Sequence, residues 1–277
     1  MSETPSEAFE AAPEKKKESW VRFLLTFVVA AWILRSLIVA PFSIPSGSML
    51  PTMWIGDYLF VQKWAYGYSK YSFPFQFPPI SGRIPNGLPD RGDIVVFRPP
   101  GHEGEDWVKR VIGLPGDRIS VSGGQVTLNG VAIPRVATGE AALPMSPNSP
   151  CRAVEGTLVH VDTGADGTVC KIPSYRETLP GEPAFTTLNY LDNGPGDDFP
   201  EITVPAGHVF LMGDNRDDSL DSRFPVAIGG IGYVPVDHLV GRATVRFWST
   251  DGSASWINPV SWFTALRSNR IGGSYNQ

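Results

Sequence analysis

An apolar run near the amino terminus, from Phe23 to Ala40, restricts the fold of this chain more than any other feature. Only Thr26, Arg35 and Ser36 interrupt it. As an α-helix the run is roughly 27 Å long, close to the thickness of the hydrocarbon core of a bilayer. Arg35 lies near the far end, where its side chain can reach the lipid–water interface. The run therefore predicts a membrane-spanning helix.

The polar residues before the run predict its orientation. We place the anchor at 20–40 and a disordered tail at 1–19, because the tail is polar and acidic and cannot form a core. The tail carries Lys15, Lys16 and Lys17 near its end, and lysines beside a membrane helix stay on the cytoplasmic side. The rest of the chain is then extracytoplasmic, on a single-pass anchor.

A cleaved signal peptide is the competing interpretation, since a basic segment precedes an apolar stretch of about twelve residues. No pair of small residues with the required spacing precedes a suitable cleavage position: Ile38 and Ala40 do not fit. Pro41 would block cleavage after Ala40. The retained anchor is therefore favoured.

Beyond the anchor the composition favours a turn-rich β protein. The chain of 277 residues is long enough for a real core and contains 29 glycines and 26 prolines. Its net charge of −5 argues against a nucleic-acid-binding protein with a basic face. The two cysteines, Cys151 and Cys170, form no C-x-x-C motif, and either a disulfide or two free buried thiols fits the sequence.

Alternating apolar residues and turn signals predict strands through most of the chain. Gly-Gly and Asn-Gly pairs predict hairpin turns between the strands that follow Asp117. Residues 69–91 are rich in proline, glycine and aromatic residues, which indicates a long loop or β-extension. Asn258-Pro259 predicts the start of a short helix that ends near Arg267. The predicted strands are 58–63, 93–98, 118–121, 126–128, 131–133, 202–204, 209–212 and 240–248.

Candidate chemistry begins in the segment just after the anchor, where Ser46 and Ser48 flank Gly47 between Pro45 and Pro51. The prolines fix local φ angles, which holds a serine in one orientation. By itself this pattern is equally typical of a linker turn.

Lys109 is the candidate base for such a serine. If 107–112 is a strand, its alternation places Lys109 on the face of Trp107 and Val111, an apolar setting that disfavours the charged amine. A base near neutrality needs a pKa about three units below 10.4, at a cost of about 4 kcal/mol. The sequence contains no G-x-S-x-G or H-E-x-x-H motif to offer a histidine base or a metal instead.

Together with the loop Gly213–Arg223, these segments resemble the bacterial type I signal peptidases, which are membrane-anchored serine proteases with a lysine base. The resemblance covers 42–67, 91–117, 204–223 and 234–248. It implies a mainly β fold in which a catalytic core (41–135 and 201–250) carries a smaller inserted β domain (136–200), followed by a short helix and tail (251–277).

The resemblance also assigns roles to residues. Ser48 would be the nucleophile and Lys109 the general base, with an oxyanion hole formed by the Ser48 backbone N–H and the Ser46 hydroxyl. Ser219 would orient Lys109. The residues expected to support the loop are Asp214, Asn215, Arg216, Asp221 and Arg223. Those expected to form shallow substrate pockets are Phe42, Ile44, Pro45, Met49, Met53, Trp107, Val108 and Leu220.

The implied activity is removal of signal peptides from exported preproteins after Ala-x-Ala-type sites, at the bacterial inner membrane. Its partners would be preprotein signal peptides, the lipid bilayer and the export machinery, with no nucleic acid, cofactor or metal. A calcium loop around Asp214 does not fit, because Arg216 and Pro225 stand at ligand positions.

Two alternatives stay open. A serine–lysine hydrolase with another substrate is one, although the S-x-x-K pattern is absent after Ser48. The other is a non-catalytic, membrane-tethered β domain that binds exported polypeptides. A signal peptidase or another serine–lysine hydrolase would show turnover that rises with pH as Lys109 loses its proton. A binding domain would show no turnover at any pH.

Overall fold

The computed structural model describes residues 15–153, 155–164, 167–255 and 257–275. The first helix, α1, covers Lys15–Ile33, and a π-helical turn at Leu34–Ile38 continues it. By length and composition Ser19–Ile38 is a candidate membrane span. Neither glycine nor proline occurs in the chain between these bounds, so nothing breaks the helix there.

Two predicted bounds at this end were wrong. Residues 15–19 belong to the helix rather than to a disordered tail, and residues 1–14 lie outside the described part of the chain. Val39 and Ala40 already form the start of a strand. The cause is strand pairing: Val39 aligns with Gln62 and Ala40 with Val61 on the next strand, and this pairing overrides the apolar pattern.

The rest of the fold is mainly β, as predicted, with antiparallel pairing between its strands. The strands are β1 Val39–Ser43, β2 Asp57–Gln62, β3 Ile94–Phe97, β4 Trp107–Gly113, β5 Arg118–Ser122, β6 Gln125–Leu128, β7 Val131–Ala132, β8 Arg135–Pro144, β9 His160–Gly164, β10 Gly167–Glu177, β11 Phe185–Leu188, β12 Phe199–Thr203, β13 His208–Met212, β14 Val234–Pro235 and β15 Leu239–Ser249.

A seven-stranded sheet in the order β1-β2-β15-β3-β4-β13-β14 forms the centre of the molecule. All four residues of β3 are buried, because apolar clusters cover both of its faces. Ile94 and Val96 pack into one cluster with Met53, whereas Val95 and Phe97 pack into another. The neighbouring strand β4 is thereby fixed between two layers of core.

A second sheet, β12-β5-β6-β7, follows from the predicted hairpins. Gly123, Gly124, Asn129 and Gly130 all have positive φ, as the Gly-Gly and Asn-Gly pairs predict. The third sheet is formed by β8, β9, β10 and β11, in the part of the chain where an inserted β domain (136–200) is predicted. It begins at Arg135, and β12 pairs with β5 instead of joining it.

The carboxyl-terminal helix, α2, covers only Ser261–Thr264, so the predicted end near Arg267 was wrong. The backbone of Arg267 instead donates to Ser249 of β15, which draws the chain back to the sheet. The Asn258 side chain accepts from Val260 N at 3.2 Å, but the helix begins only at Ser261, so the predicted start at Asn258-Pro259 was also wrong.

Candidate active site

Ser48 and Lys109 meet beside the central sheet. Ser48 lies in the turn between β1 and β2, and Lys109 is the third residue of β4. The distance from Lys109 Nζ to Ser48 Oγ is 2.7 Å, a buried hydrogen bond between residues far apart in the chain. Lys109 Nζ also lies 3.2 Å from Val108 O. A serine and a base within hydrogen-bond reach are the minimum arrangement for nucleophilic catalysis.

Burial controls the protonation of Lys109. The residue is 4% exposed, and desolvation lowers its pKa to about 8, against the opposing influence of Asp221, Asp218 and Asp214. Arg223 adds a smaller lowering effect. The alternation of β4 places the amine on the face of Trp107, as predicted. An amine with this pKa is partly neutral near physiological pH and can accept a proton.

The turn that carries Ser48 is held by Asn215. Asn215 N donates to Ser48 O at 3.1 Å, and Asn215 Nδ2 donates to Gly47 O at 3.0 Å. The same amide group lies 3.2 Å from the Tyr190 hydroxyl, which comes from the segment after β11. Ser46 Oγ lies 3.5 Å from Ser48 Oγ, so both hydroxyls face the same space.

Two buried ion pairs stabilise the start and the end of the loop Gly213–Arg223. Asp214 receives two hydrogen bonds of 2.7 Å from Arg110, on the face of β4 opposite Lys109. Asp221 receives hydrogen bonds of 2.8 and 2.9 Å from Arg223 and a third, of 3.0 Å, from the backbone N–H of Gly213. Fully paired charges of this kind fix a loop geometry, because breaking one partner leaves a buried charge.

A third buried ion pair joins this loop to the inserted sheet. Arg216 donates to Glu177 of β10 at 2.6 Å and to Gly213 O at 3.2 Å. Glu177 also accepts from Thr187 at 3.0 Å. The inserted sheet therefore braces the loop beside Lys109. No sequence pattern points to Glu177, because its partner Arg216 lies 39 positions away in the chain.

Ser219 lies at the cleft with 3% of its surface exposed. Among the described residues, no hydrogen bond joins its hydroxyl to Lys109. Hydrogen bonding from Ser219 contributes instead to the lowered pKa of the neighbouring Asp221 carboxyl. Its orienting role is therefore an expectation that stands only on the motif.

A cleft of about 870 Å³ opens in front of Ser48. Its walls include the predicted residues Phe42, Ile44, Pro45, Ser46, Trp107, Val108, Ser219 and Leu220. Met49 and Met53 do not line it. Both are fully buried in the core beneath, packed with Ile44 and Val108, and their part in a substrate pocket stays a prediction.

Sequence reasoning missed Asp218 and Arg152 at this cleft. They form an ion pair on its wall, and burial raises the pKa of Asp218 against the opposing effects of Arg152 and Lys109. Arg152 follows Cys151, which forms a disulfide with Cys170 of β10. The disulfide left open by the sequence is therefore present, and it fixes the backbone next to Arg152.

Comparison with known proteins gives a consistent result. The sequence profile described as signal peptidase, peptidase S26, matches residues 17–248. Signal peptidase I of Rickettsia typhi is 34% identical over 264 residues, which is 89% of each chain. Signal peptidase I of Rickettsia conorii is 34% identical over 274 residues, which is 92% of this chain and 91% of that protein.

A crystal structure of a signal peptidase I from Enterococcus faecalis aligns with 56% of this chain and 96% of its own. The sequence identity is 23% and the TM-score 0.28, an overall similarity too low to carry an argument about the fold.

Proposed function

Since the chain belongs to the signal peptidase S26 family and is a peptidase, we propose that it cleaves signal peptides from exported preproteins by a Ser48–Lys109 mechanism. The observation that carries the mechanism is the buried 2.7 Å contact between Lys109 Nζ and Ser48 Oγ. Among the described residues, these two side chains bring together a hydroxyl and a partly neutral amine at the wall of a cleft.

In the acylation step, Ser48 Oγ forms a bond to the scissile carbonyl carbon while its proton passes to neutral Lys109. The tetrahedral intermediate then expels the amine, the C–N bond breaks, and Lys109 returns the proton to the leaving nitrogen. A water molecule repeats the sequence on the acyl-enzyme and releases the signal peptide as a carboxylic acid. No side chain other than Ser48 and Lys109 needs to take up or release a proton.

The oxyanion hole consists of the Ser48 backbone N–H and the Ser46 hydroxyl. The 3.5 Å separation of the two serine oxygens supports this assignment, because an oxyanion formed at Ser48 lies close to both. Asn215 holds the two carbonyls of the turn, which keeps the backbone N–H groups in place for the substrate.

The cleft supports cleavage after small residues. Ile44 and Val108 are almost completely buried and leave little depth next to Ser48, so alanine-sized side chains suit the positions before the cut. Strand β1 is an edge strand that pairs only with β2 within the described chain. A substrate can add a strand there through main-chain hydrogen bonds, which places no demand on most of its side chains.

The chain is anchored by Ser19–Ile38 with its amino terminus in the cytoplasm and its cleft outside the inner membrane. The apolar span and the preceding lysines support this topology. Ser48 follows the span after a single strand, so the cleft lies at the membrane surface where a signal peptide ends. Contact with the export machinery stays a prediction.

The deciding experiment compares Ser48→Ala and Lys109→Ala with the surface variant Lys171→Ala. Lys171 lies on the inserted sheet in an exposed ion pair with Asp162. Full-length protein in vesicles is incubated with a preprotein, and processing is followed by gel. Loss of processing in the two site variants, with normal processing in Lys171→Ala, is expected. Retained processing by Lys109→Ala would rule out Lys109 as the base.

A further inference from the structure

A short apolar loop, residues 73–80, projects from the domain on the side of α1. Phe75 is 99% exposed and Phe77 is 66% exposed. Gln76 is its one polar side chain, and the sequence of the loop is Phe-Pro-Phe-Gln-Phe-Pro-Pro-Ile. Exposed aromatic residues clustered in this way mark a contact surface more often than a water-facing turn.

Two contacts fix the base of this loop against the helix that spans the membrane in the proposed function. The Phe73 ring stacks on Trp32 of α1, with 6.2 Å between ring centroids and 24° between planes. The Tyr68 hydroxyl donates to Leu37 O at 2.7 Å. Trp32 lies about six residues before Ile38, which puts it roughly 9 Å below the end of the span. The loop therefore starts at the depth of the outer leaflet.

The loop backbone is compatible with an apolar environment. The N–H groups of Gln76, Phe77 and Ile80 donate to carbonyl groups within the loop at 2.9 to 3.3 Å, and Phe73 N–H donates to Lys70 O at its base at 3.3 Å. The three prolines of the loop have no N–H group. Unpaired backbone groups are what exclude irregular loops from lipid, and this loop has paired or removed most of its donors.

We propose that the 73–80 loop inserts into the outer leaflet of the bilayer beside α1 and forms a second membrane contact. Its partner is the acyl-chain and glycerol region of the lipid. The position of Lys70 agrees with this depth. Its amine lies over the ring of Tyr71 at the base of the loop, and at the proposed depth this base is level with the lipid phosphates. This proposal rests on the membrane anchor of the proposed function.

The base of the loop also contacts the wall of the cleft. The buried amine of Lys63 donates to Ser72 O at 2.8 Å and lies 5.8 Å from the centre of the Phe42 ring. Phe42 is a cleft residue. The depth of the loop in the lipid thus sets the height of the cleft above it.

The test uses the full chain, whose two cysteines are joined in a disulfide, so that an introduced cysteine is the one reactive thiol. Three single variants, Phe75→Cys, Val28→Cys and Val136→Cys, are labelled with an environment-sensitive fluorophore. They are reconstituted in phosphatidylcholine–phosphatidylglycerol vesicles. Val28 reports the anchor, and Val136 is an exposed apolar residue on the inserted sheet.

We expect blue-shifted emission and quenching by spin-labelled acyl chains at positions 28 and 75, and neither effect at position 136. A label at 28 in lipid with a label at 75 in water would overturn the loop proposal and leave the anchor intact. A label at 28 in water would overturn both. A label at 75 shielded from iodide but not quenched by the lipid spin label would indicate a protein contact, and would also overturn the loop proposal.

A second measurement tests the link to the cleft. The double variant Phe75→Asp, Phe77→Asp is expected to raise KM several-fold for a membrane-inserted preprotein and to leave the cleavage of a soluble peptide unchanged. An unchanged KM for the preprotein would overturn the link between loop depth and cleft height.

Discussion

The ammonium nitrogen of Lys109 lies 5.6 Å from the centre of the Trp107 ring, two positions earlier on the same face of β4. An aromatic face favours the charged amine, whereas removal from water disfavours it. Desolvation is the larger effect, because the net result is a pKa of about 8. Desolvation of Lys109 thus outweighs the neighbouring groups that favour its charged form.

The rate of cleavage should follow this pKa. Because neutral Lys109 is the proposed base, kcat/KM for a peptide substrate should rise about tenfold between pH 7 and pH 9 and level off above a midpoint near 8. The measurement is a pH–rate profile of the full chain in detergent micelles. A flat profile, or a midpoint near the ordinary lysine value of 10.5, would contradict the assignment.

Removing the amine should stabilise the fold. The folded pKa of Lys109 lies below its unfolded value, so the unfolded chain binds more protons between about pH 8 and 10.5, and stability rises with pH across that window. Lys109→Met should therefore raise the free energy of unfolding by up to about 3 kcal/mol at pH 7, and by little near pH 10.5. Denaturant titration at both pH values measures this.

Lys171→Met is the control for that experiment, because Lys171 is exposed and paired with Asp162. Its unfolding free energy should stay close to that of the wild-type protein at either pH. A destabilised Lys109→Met variant would show that the charged amine supports the fold.

Replacing Ser46 should affect the chemical step. Ser46→Ala removes one proposed oxyanion donor and should lower kcat by about 10² to 10³ with little change in KM. Ser46→Thr retains the hydroxyl and should restore most of the rate. The check is steady-state kinetics with a signal-peptide substrate; equal rates for the alanine and wild-type proteins would remove Ser46 from the oxyanion hole.

Asn215 should control the geometry of the nucleophile. In Asn215→Ala the Gly47 carbonyl loses its partner, which costs about 1 to 3 kcal/mol for a buried acceptor. We expect kcat to fall at least about tenfold while the pH midpoint of Lys109 is retained. Asn258→Ala, which alters an exposed turn before α2, is the matched control and should retain full activity. Normal kcat in Asn215→Ala would refute this role.

The disulfide should contribute stability without taking part in catalysis. It closes a loop with a sequence separation of 19, so Cys151→Ser, Cys170→Ser should lower the free energy of unfolding by about 3 kcal/mol. The Ser48–Lys109 contact involves neither cysteine, so peptide cleavage at moderate temperature should stay within about twofold of wild type. Reduced wild-type protein should behave like the double variant.

Local features of the fold could be predicted from the sequence. The turns at Gly123 and Asn129 require positive φ, and the Gly-Gly and Asn-Gly pairs that adopt it are recognisable in the sequence. The face of Lys109 followed from strand alternation alone. Pairing of Ser48 with Lys109, however, was available only through the resemblance, since alternation says nothing about which turn faces a strand.

Contacts between distant segments could not be predicted. Asn215 and Gly47 are separated by 168 positions, and Arg216 and Glu177 by 39. No periodicity encodes these pairs, because each depends on how the sheets pack. The complete burial of Met49 and Met53 could not be predicted for the same reason: an apolar residue near Ser48 can lie beneath the wall of the cleft as easily as on its surface.

The helix and the catalytic domain share a junction without a linker: the π-helical turn ends at Ile38 and β1 begins at Val39. In the anchored state, no flexible segment lets the domain move independently of the helix. The catalytic centre then travels laterally with its own anchor, and its search for substrates is a two-dimensional diffusion within one plane. Encounter frequency should accordingly depend on the number of preproteins per unit area of membrane, not on their concentration in the surrounding water.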